Sequence, residues 1–186
     1  MKKLFMLMFL FLLAAHAHAY AVDGVFIEYG LGDASVISSL SMINMYRVGA
    51  LWKWHKTWLS NGDWHVTGFW EASLGNWRGF KPEANNQTIT DFGITPVFHL
   101  EQKEGAGVMP YLEAGIGVHL ISPTSIYSGR NFSTALQFGD ALGFGVSLGE
   151  RRQFDLGYRF QHLSNGDIKR PNNGVDFNQI HLGYRF

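Results

Sequence analysis

The chain has 186 residues, a formal net charge of zero at pH 7 and no cysteine. These values exclude a disulfide framework and a thiol catalyst, and without a basic run we expect no nucleic-acid partner. Aromatic residues and glycine are abundant, with 15 Phe, 7 Tyr, 6 Trp and 22 Gly. This composition favours many closely packed strands over helices.

The first residues have the pattern of a cleaved secretory signal. Lys2 and Lys3 precede an apolar run from Leu4 to Ala15, and small residues follow at Ala17 and Ala19. The run is shorter than the about 20 residues that a membrane-spanning helix needs. We therefore expect residues 1–19 to be removed after Ala19, and residues 20–186 to form one domain.

Alternation of apolar and polar residues runs through the rest of the chain. It predicts eight strands, at about 23–31, 42–55, 64–77, 87–101, 108–121, 134–149, 152–164 and 176–186. Their lengths suit tilted strands that cross a bilayer, and their even number suits a closed antiparallel barrel. The ending, with apolar or aromatic residues at every second position up to Phe186, resembles the C-terminal signature of bacterial outer-membrane barrels. The predicted fold is an all-β, eight-stranded antiparallel transmembrane β-barrel in the outer membrane.

The two faces of the later strands differ in a way that fits a membrane barrel. In "YLEAGIGVHLI" one face is apolar, whereas the other carries Glu113, Gly115, Gly117 and His119. A membrane barrel turns its apolar face outward, and an eight-stranded interior has room only for side chains. We expect the polar interior to contain Glu28, Arg47, Glu71, Glu113, Asp155, Arg159 and Arg185.

Two further features concern the outer face. The tryptophans near the ends of the second and third strands suit an aromatic girdle at the membrane interface. The alternative is that they are core residues of a soluble sandwich. These tryptophans are Trp52, Trp54, Trp58, Trp64, Trp70 and Trp77. Asp140 interrupts the apolar face of "LQFGDALGFGVSL", and the sequence does not explain it.

The last two strands bring a possible catalytic set to the outer face. Every second residue from Leu156 lies on the apolar outer face, and this series includes His162 and Ser164. On the next strand Asp176 shares the outer face with Ile180. With both termini periplasmic, the loops near 32–41, 78–86, 122–133 and 165–175 face outward from the cell, so these three residues lie near the outer-leaflet headgroups. A serine, an imidazole and a carboxylate can perform acyl transfer. The alternative is a set of polar residues at headgroup level, where charge costs only about 0–1 kcal/mol.

The segment "HLSNGDIKRPNNGVD" resembles the active-site segment of the PagL family, the outer-membrane lipid A 3-O-deacylases. The motif residues are His162, Ser164, Asn165, Lys169, Pro171, Asn172 and Asp176. The segments "MYRVGALWKWHKTW", "TGFWEASLGNW", "PYLEAGIGV" and "LQFGDALGFG" are also similar to strands of that family. The resemblance implies hydrolysis of the ester-linked acyl chain at the 3 position of lipid A, the lipid part of lipopolysaccharide. The family typically has glutamate where this chain has Asp176.

Several residues of the loop keep two interpretations. Asn165, Gly166 and Asn172 could support an oxyanion, or the asparagines could serve only to form the turn. Asp167 is a rival for the role of Asp176. Lys169 and Arg170 could meet lipid A phosphates, although solvated loop charges are commoner.

The sequence also limits what else the protein could be. No histidine pair has convincing metal spacing, and we expect neither a metal nor another cofactor. The competing functions are a non-enzymatic barrel with a structural or adhesive role, and an acyltransferase. We expect outer-membrane lipids and lipopolysaccharide as partners, and the sequence leaves the oligomeric state open, a homodimer included.

Overall fold

The structure is a computed structural model that describes residues 22–33, 43–60, 62–103 and 107–186. The expected signal segment, residues 1–19, and most of the loop near 32–41 lie outside the described residues. Among the described residues, no helix has the length and apolar character needed to cross a membrane.

Eight of the described strands close into one antiparallel barrel, which confirms the predicted fold. Their order around the barrel is β1-β10-β9-β8-β5-β4-β3-β2. Two short strands, β6 and β7, pair with each other in a separate hairpin between β5 and β8. The bounds are β1 Gly24–Gly32, β2 Ile43–Lys53, β3 Trp64–Gly79, β4 Thr88–Gln102, β5 Val108–Ser122, β6 Ser125–Tyr127, β7 Arg130–Asn131, β8 Leu136–Leu148, β9 Phe154–Ser164 and β10 Val175–Arg185.

The barrel strands begin and end within about two residues of the predicted positions, but the β6–β7 hairpin was not predicted. It lies in the segment 122–133, where the sequence predicts only a loop. We call the barrel end at Gly32, Ser122 and Ser164 the loop end, and the end at Gly24 and Arg185 the terminal end. The hairpin belongs to the loop end.

The outer wall of the barrel is apolar. Side chains alternate between buried and exposed along β5, where Leu112 and Ile116 are 55% and 70% exposed while Glu113 is buried. The same alternation, with apolar side chains exposed, holds along β8, where Leu142 is 65% exposed. A soluble protein would bury these side chains, so the wall has the polarity of a surface that faces lipid.

The interior is filled by paired charges, as predicted. Arg159 bonds Glu113 through Nε at 2.6 Å, and its Nη atoms reach Glu71 and Glu28 at 2.9 Å. Arg47 bonds Glu28 and Asp91 at 3.0 Å. Buried carboxylates are tolerated because these guanidinium groups supply several donors each. The interior histidines join the same network: His181 lies 3.0 Å from Glu28, His99 lies 3.0 Å from Glu113, and His119 lies 2.9 Å from Asp91.

The loop end is closed by an apolar cluster above this network. The hairpin region contributes Ile126, Tyr127 and Phe132, which fold over the barrel mouth. The strands contribute Ile43, Met45, Trp77, Ile89, Ile121, Leu163, Val175 and Phe177. The barrel therefore has a packed interior whose upper part is an apolar cap.

The prediction of an interfacial tryptophan girdle is wrong for Trp77. This residue is fully buried in the apolar cap, where it packs edge-on against Phe132 and Phe177 at ring distances of 5.9 and 5.1 Å. At the terminal end Trp64 and Trp70 are exposed on the wall, and Trp54 packs against Trp70. Trp77 is in step with the interior Glu71, so the alternation of β3 turns its ring inward although it lies near a strand end.

Replacing Arg159 with methionine should destabilise the barrel by about 3–5 kcal/mol, because Glu28, Glu71 and Glu113 would lose a buried partner. The measurement is urea unfolding of the refolded protein, followed by heat-modifiable gel mobility. Arg170→Met is the matched control, since that guanidinium and its partner Asp167 are 82% and 63% exposed. An Arg159→Met midpoint equal to that of the control would contradict the structural role of the network.

Candidate active site

The pairing of β9 with β10 brings His162 and Asp176 together. These residues are direct register partners, with Leu163 and Val175 as the next pair toward the loop end. Their side chains lie on the outer wall, and His162 Nδ1 is 2.6 Å from Asp176 Oδ1. The side chains are 42% and 52% exposed. The structure thus joins two of the three predicted catalytic groups in a short, charge-assisted hydrogen bond.

Strand parity explains why these groups face outward. Phe154, Leu156 and Phe160 are exposed on the wall side of β9, and His162 and Ser164 continue the same alternation. The intervening Leu163 is fully buried in the apolar cap. A one-residue shift of register would exchange these faces, so the packing of Leu163 fixes the outward orientation of the histidine and the serine.

The Cε1–Nε2 edge of the imidazole lies close to Gly174. A Cβ added to Gly174 would lie 3.0 Å from His162 Cε1 and 3.5 Å from its Nε2. The imidazole therefore bonds Asp176 through Nδ1, and its Nε2 has no hydrogen bond among the described residues, on the same face of β9 as Ser164. Within the described part of the chain, no hydrogen bond joins the Ser164 hydroxyl to the imidazole.

Gly174 was not identified from the sequence as a site residue. It has a φ of +57°, a conformation that glycine adopts without strain, and it has no side chain to displace the imidazole. The signal in the sequence was the Asn-Asn-Gly run immediately before the last strand, which indicates a turn but not contact with His162.

Asn165 shapes the loop that follows Ser164. Its side chain is fully buried, and Nδ2 donates to the carbonyl oxygens of Phe132 and Lys169 at 2.8 and 2.7 Å. Its main-chain N–H donates to Asn172 Oδ1 at 3.1 Å. Both asparagines therefore hold the loop in place, and both hydrogens of the Asn165 amide are occupied there.

Gly166 occupies the first exposed position of this loop. Its φ is +62°, and a Cβ would approach the Phe138 ring to 3.2 Å. Among the described residues its N–H donates no hydrogen bond. This main-chain donor lies two residues beyond Ser164.

Among the described residues, the other charged residues of the loop form no hydrogen bond or ion pair with His162 or Asp176. Asp167 is bonded to Arg170 Nη2 at 3.2 Å, and both are exposed. Lys169 is exposed as well. The described residues contain no group of three or more His, Cys, Asp or Glu side chains placed to hold a metal ion.

The fold and the site together define a class of protein. A closed barrel with an apolar wall carries an imidazole–carboxylate pair and a serine on that wall, at the end of two strands. Such groups suit ester hydrolysis of a substrate that itself lies in the membrane. The class is that of an outer-membrane ester hydrolase.

Comparison with known proteins identifies the family. The family model described as "Lipid A 3-O-deacylase (PagL)" matches residues 44–185. The chain is 33% identical over 131 residues to the lipid A deacylase PagL of Pseudomonas aeruginosa, covering 70% of this chain and 72% of that protein. It is 41% identical over 76 residues to the lipid A deacylase PagL of Bordetella bronchiseptica, covering 41% of each.

Solved structures agree with this assignment. The crystal structure of the outer membrane enzyme PagL superposes with a TM-score of 0.72 at 27% identity, covering 88% of this chain and 99% of that one. Neisserial surface protein A shares the fold alone, with a TM-score of 0.51 at 14% identity and coverage of 88% and 95%. The chain belongs to the PagL family and is a lipid A deacylase of the outer membrane.

Replacing Gly174 with alanine should lower kcat by about tenfold to a hundredfold, because the new methyl would push His162 away from Asp176. The measurement is the deacylation rate on lipid A in detergent. Gly129→Ala is the matched control: its φ is +89°, but a Cβ there meets nothing within 4 Å. Equal rates for the two variants would show that Gly174 does not position the imidazole.

Proposed function

We propose that this protein removes the ester-linked acyl chain at the 3 position of lipid A by a serine esterase mechanism. Ser164 is the nucleophile, His162 the general base and acid, and Asp176 the orienting acid. The observation that carries the proposal is the 2.6 Å bond from His162 Nδ1 to Asp176, which leaves Nε2 without a hydrogen bond among the described residues, on the same face of β9 as Ser164. Membership of the lipid A 3-O-deacylase family supports the choice of substrate and bond.

The first half-reaction transfers the acyl group to the enzyme. Ser164 Oγ attacks the ester carbonyl carbon while His162 Nε2 takes the hydroxyl proton. The tetrahedral intermediate collapses, the bond from the carbonyl carbon to the sugar oxygen breaks, and Nε2 returns the proton to that oxygen. Asp176 holds Nδ1–H and stabilises the imidazolium that forms between these two steps.

The second half-reaction releases the fatty acid. A water molecule gives a proton to Nε2 and attacks the acyl carbon, and the collapse of this second intermediate returns the proton to Ser164 Oγ. Water is available because the site lies at the end of the strands, where the loop 165–174 is exposed for most of its length. The products are the 3-O-deacylated lipid and a free fatty acid.

The oxyanion needs donors that are already in place. We assign the main role to the N–H of Gly166, which has no other acceptor among the described residues. Asn165 and Asn172 support it indirectly, since their bonds at 2.7–3.1 Å hold the loop against the β6–β7 hairpin. This assignment combines the two interpretations of the loop: the asparagines form the turn, and the turn presents the donor.

The loop end faces the outer leaflet in this proposal. Below His162 and Asp176 the wall is apolar except for Asn178 and the Tyr158 hydroxyl that bonds it, and the exposed loop with Lys169 and Arg170 lies above them. A lipid A molecule beside the barrel would place its acyl chains along the wall and its sugar phosphates near the loop. The ester bond, between the two parts, would then lie at the level of Ser164.

Asp176 takes the place of the glutamate that is typical of the family. The shorter side chain reaches the imidazole because Asp176 and His162 are direct register partners, whose Cα atoms are about 4.5–5.5 Å apart. The missing methylene therefore does not prevent a bond of 2.6 Å.

Ser164→Ala and His162→Ala should each reduce deacylation by about 10³-fold or more, because both act directly in bond making and breaking. Mass spectrometry of purified lipid A should show loss of one acyl chain with the wild type and none with either variant. Heat-modifiable gel mobility confirms that the variants fold. A folded Ser164→Ala variant that still deacylates would rule out the serine mechanism, and a gain of an acyl chain would indicate an acyltransferase instead.

Asp176→Asn should lower the rate less than Ser164→Ala but by at least about 10²-fold, since an amide cannot stabilise the imidazolium. Asp176→Glu should retain substantial activity because it restores a carboxylate. Asp167→Asn is the matched control, because Asp167 bonds only Arg170 among the described residues. Loss of activity in Asp167→Asn with a normal rate in Asp176→Asn would transfer the role to Asp167.

A further inference from the structure

Asp140 is a carboxylate on the lipid-facing wall that the proposed mechanism does not use. It lies on β8 between Phe138 and Leu142, both of which are exposed on the same face. Its register partner on β5 is Ile116, which is 70% exposed on the wall. Within the described residues Asp140 forms no hydrogen bond and no ion pair. An unpaired carboxylate among lipid-facing apolar groups is rare, so we expect it to have a binding partner.

The register places Asp140 beside the catalytic groups. Asp140 is the direct partner of His162, and Phe138 is the direct partner of Ser164. One row across the wall therefore reads Asp176, His162, Asp140, with Asp176 already bonded to Nδ1. Asp140 lies on the side of His162 away from Asp176, two residue pairs further from the loop end than Ser164, or about 7 Å along the strand.

We propose that Asp140 is a specificity-determining residue that accepts a hydrogen bond from the substrate beside the scissile ester. The inference rests on the proposed role of Ser164. With the ester carbonyl at Ser164, the departing acyl chain runs along the wall away from the loop end and crosses the row of Asp140 within its first few carbons. A carboxylate there accepts a hydrogen bond from a donor on this part of the substrate. With an unsubstituted hydrocarbon chain the carboxylate has no partner, so substrates that carry the donor are favoured.

Two groups of lipid A could be that donor. One is the hydroxyl on carbon 3 of a hydroxyacyl chain, two carbons from the scissile carbonyl, and the other is the amide N–H of an N-linked chain on the same sugar. Either donor would satisfy the free carboxylate. The hydroxyl is part of the acyl chain that passes Asp140, so it lies nearer to the carboxylate than the amide does. The chemistry recognised is the same in each case, a hydrogen-bond donor within a few bonds of the ester.

The test compares three synthetic glucosamine lipids that differ only near the scissile bond. The first has a 3-hydroxyacyl ester and a neighbouring N-acyl group, the second lacks the chain hydroxyl, and the third has an O-acyl group in place of the N-acyl group. The wild type, Asp140→Leu and Asp140→Asn are assayed for kcat/KM on each. Leucine suits a lipid-facing wall, so folding should persist, and the asparagine variant retains a neutral acceptor if leucine disturbs the strand. Tyr158→Phe is the matched control, since it removes another polar group of the same wall, the hydroxyl that bonds Asn178.

We expect Asp140→Leu to reduce kcat/KM on the first lipid by about tenfold to a hundredfold and to leave the rate on the second unchanged. A loss that persists on the second lipid but disappears on the third would also support the proposal, with the amide as the donor. Equal losses on all three lipids, with a shifted pH profile, would overturn the proposal and indicate that Asp140 acts through His162. No loss on any lipid would overturn it as well. The comparison uses ratios between lipids, so a failure here differs from failure of the serine mechanism, which Ser164→Ala tests alone.

Discussion

The charge network around Arg159 and Arg47 determines where this protein can carry out chemistry. These two guanidinium groups bond four buried carboxylates between them, on Glu28, Glu71, Asp91 and Glu113. Charges in a narrow interior are tolerated only when they are paired, and the pairing here fills the middle of the barrel. The apolar cap closes the loop end above it. The interior is thus a core, and a reacting lipid has to be met on the outer wall.

A site on the wall suits a substrate that is itself part of the membrane. In the proposed mechanism lipid A approaches sideways with its acyl chains among the exposed leucine, isoleucine and phenylalanine side chains, so the chains remain in an apolar environment. The polar groups on this wall must then be few, because ionisable side chains that face lipid are costly. The bond from His162 to Asp176 pairs two such groups, and in the proposed mechanism it also fixes the tautomer needed for base catalysis.

Much of the fold could be predicted because the period of two is preserved in nearly every strand. Parity alone placed Glu113 inside and His162, Ser164 and Asp176 outside, and the structure agrees. The girdle prediction failed for Trp77 because it used only the position near a strand end, whereas the step of two from the interior Glu71 turns the ring inward. Parity could not show what Gly174 and Asn165 contact, since these contacts cross between loops that the sequence separates. The hairpin at 125–131 was missed because its strands are only three and two residues long.

The site and the cap depend on the same short stretches of chain. Leu163 and Val175 are buried in the cap, and they alternate with His162, Ser164 and Asp176 on the wall. The buried amide of Asn165 then ties the loop after β9 to Phe132, whose ring is itself part of the cap. Because the inward residues are locked by packing, the outward ones keep a fixed register without a supporting layer of their own. In the proposed mechanism an aspartate can therefore serve as the orienting acid: the backbone holds Asp176 and His162 opposite each other, so the side chain has only a short gap to span.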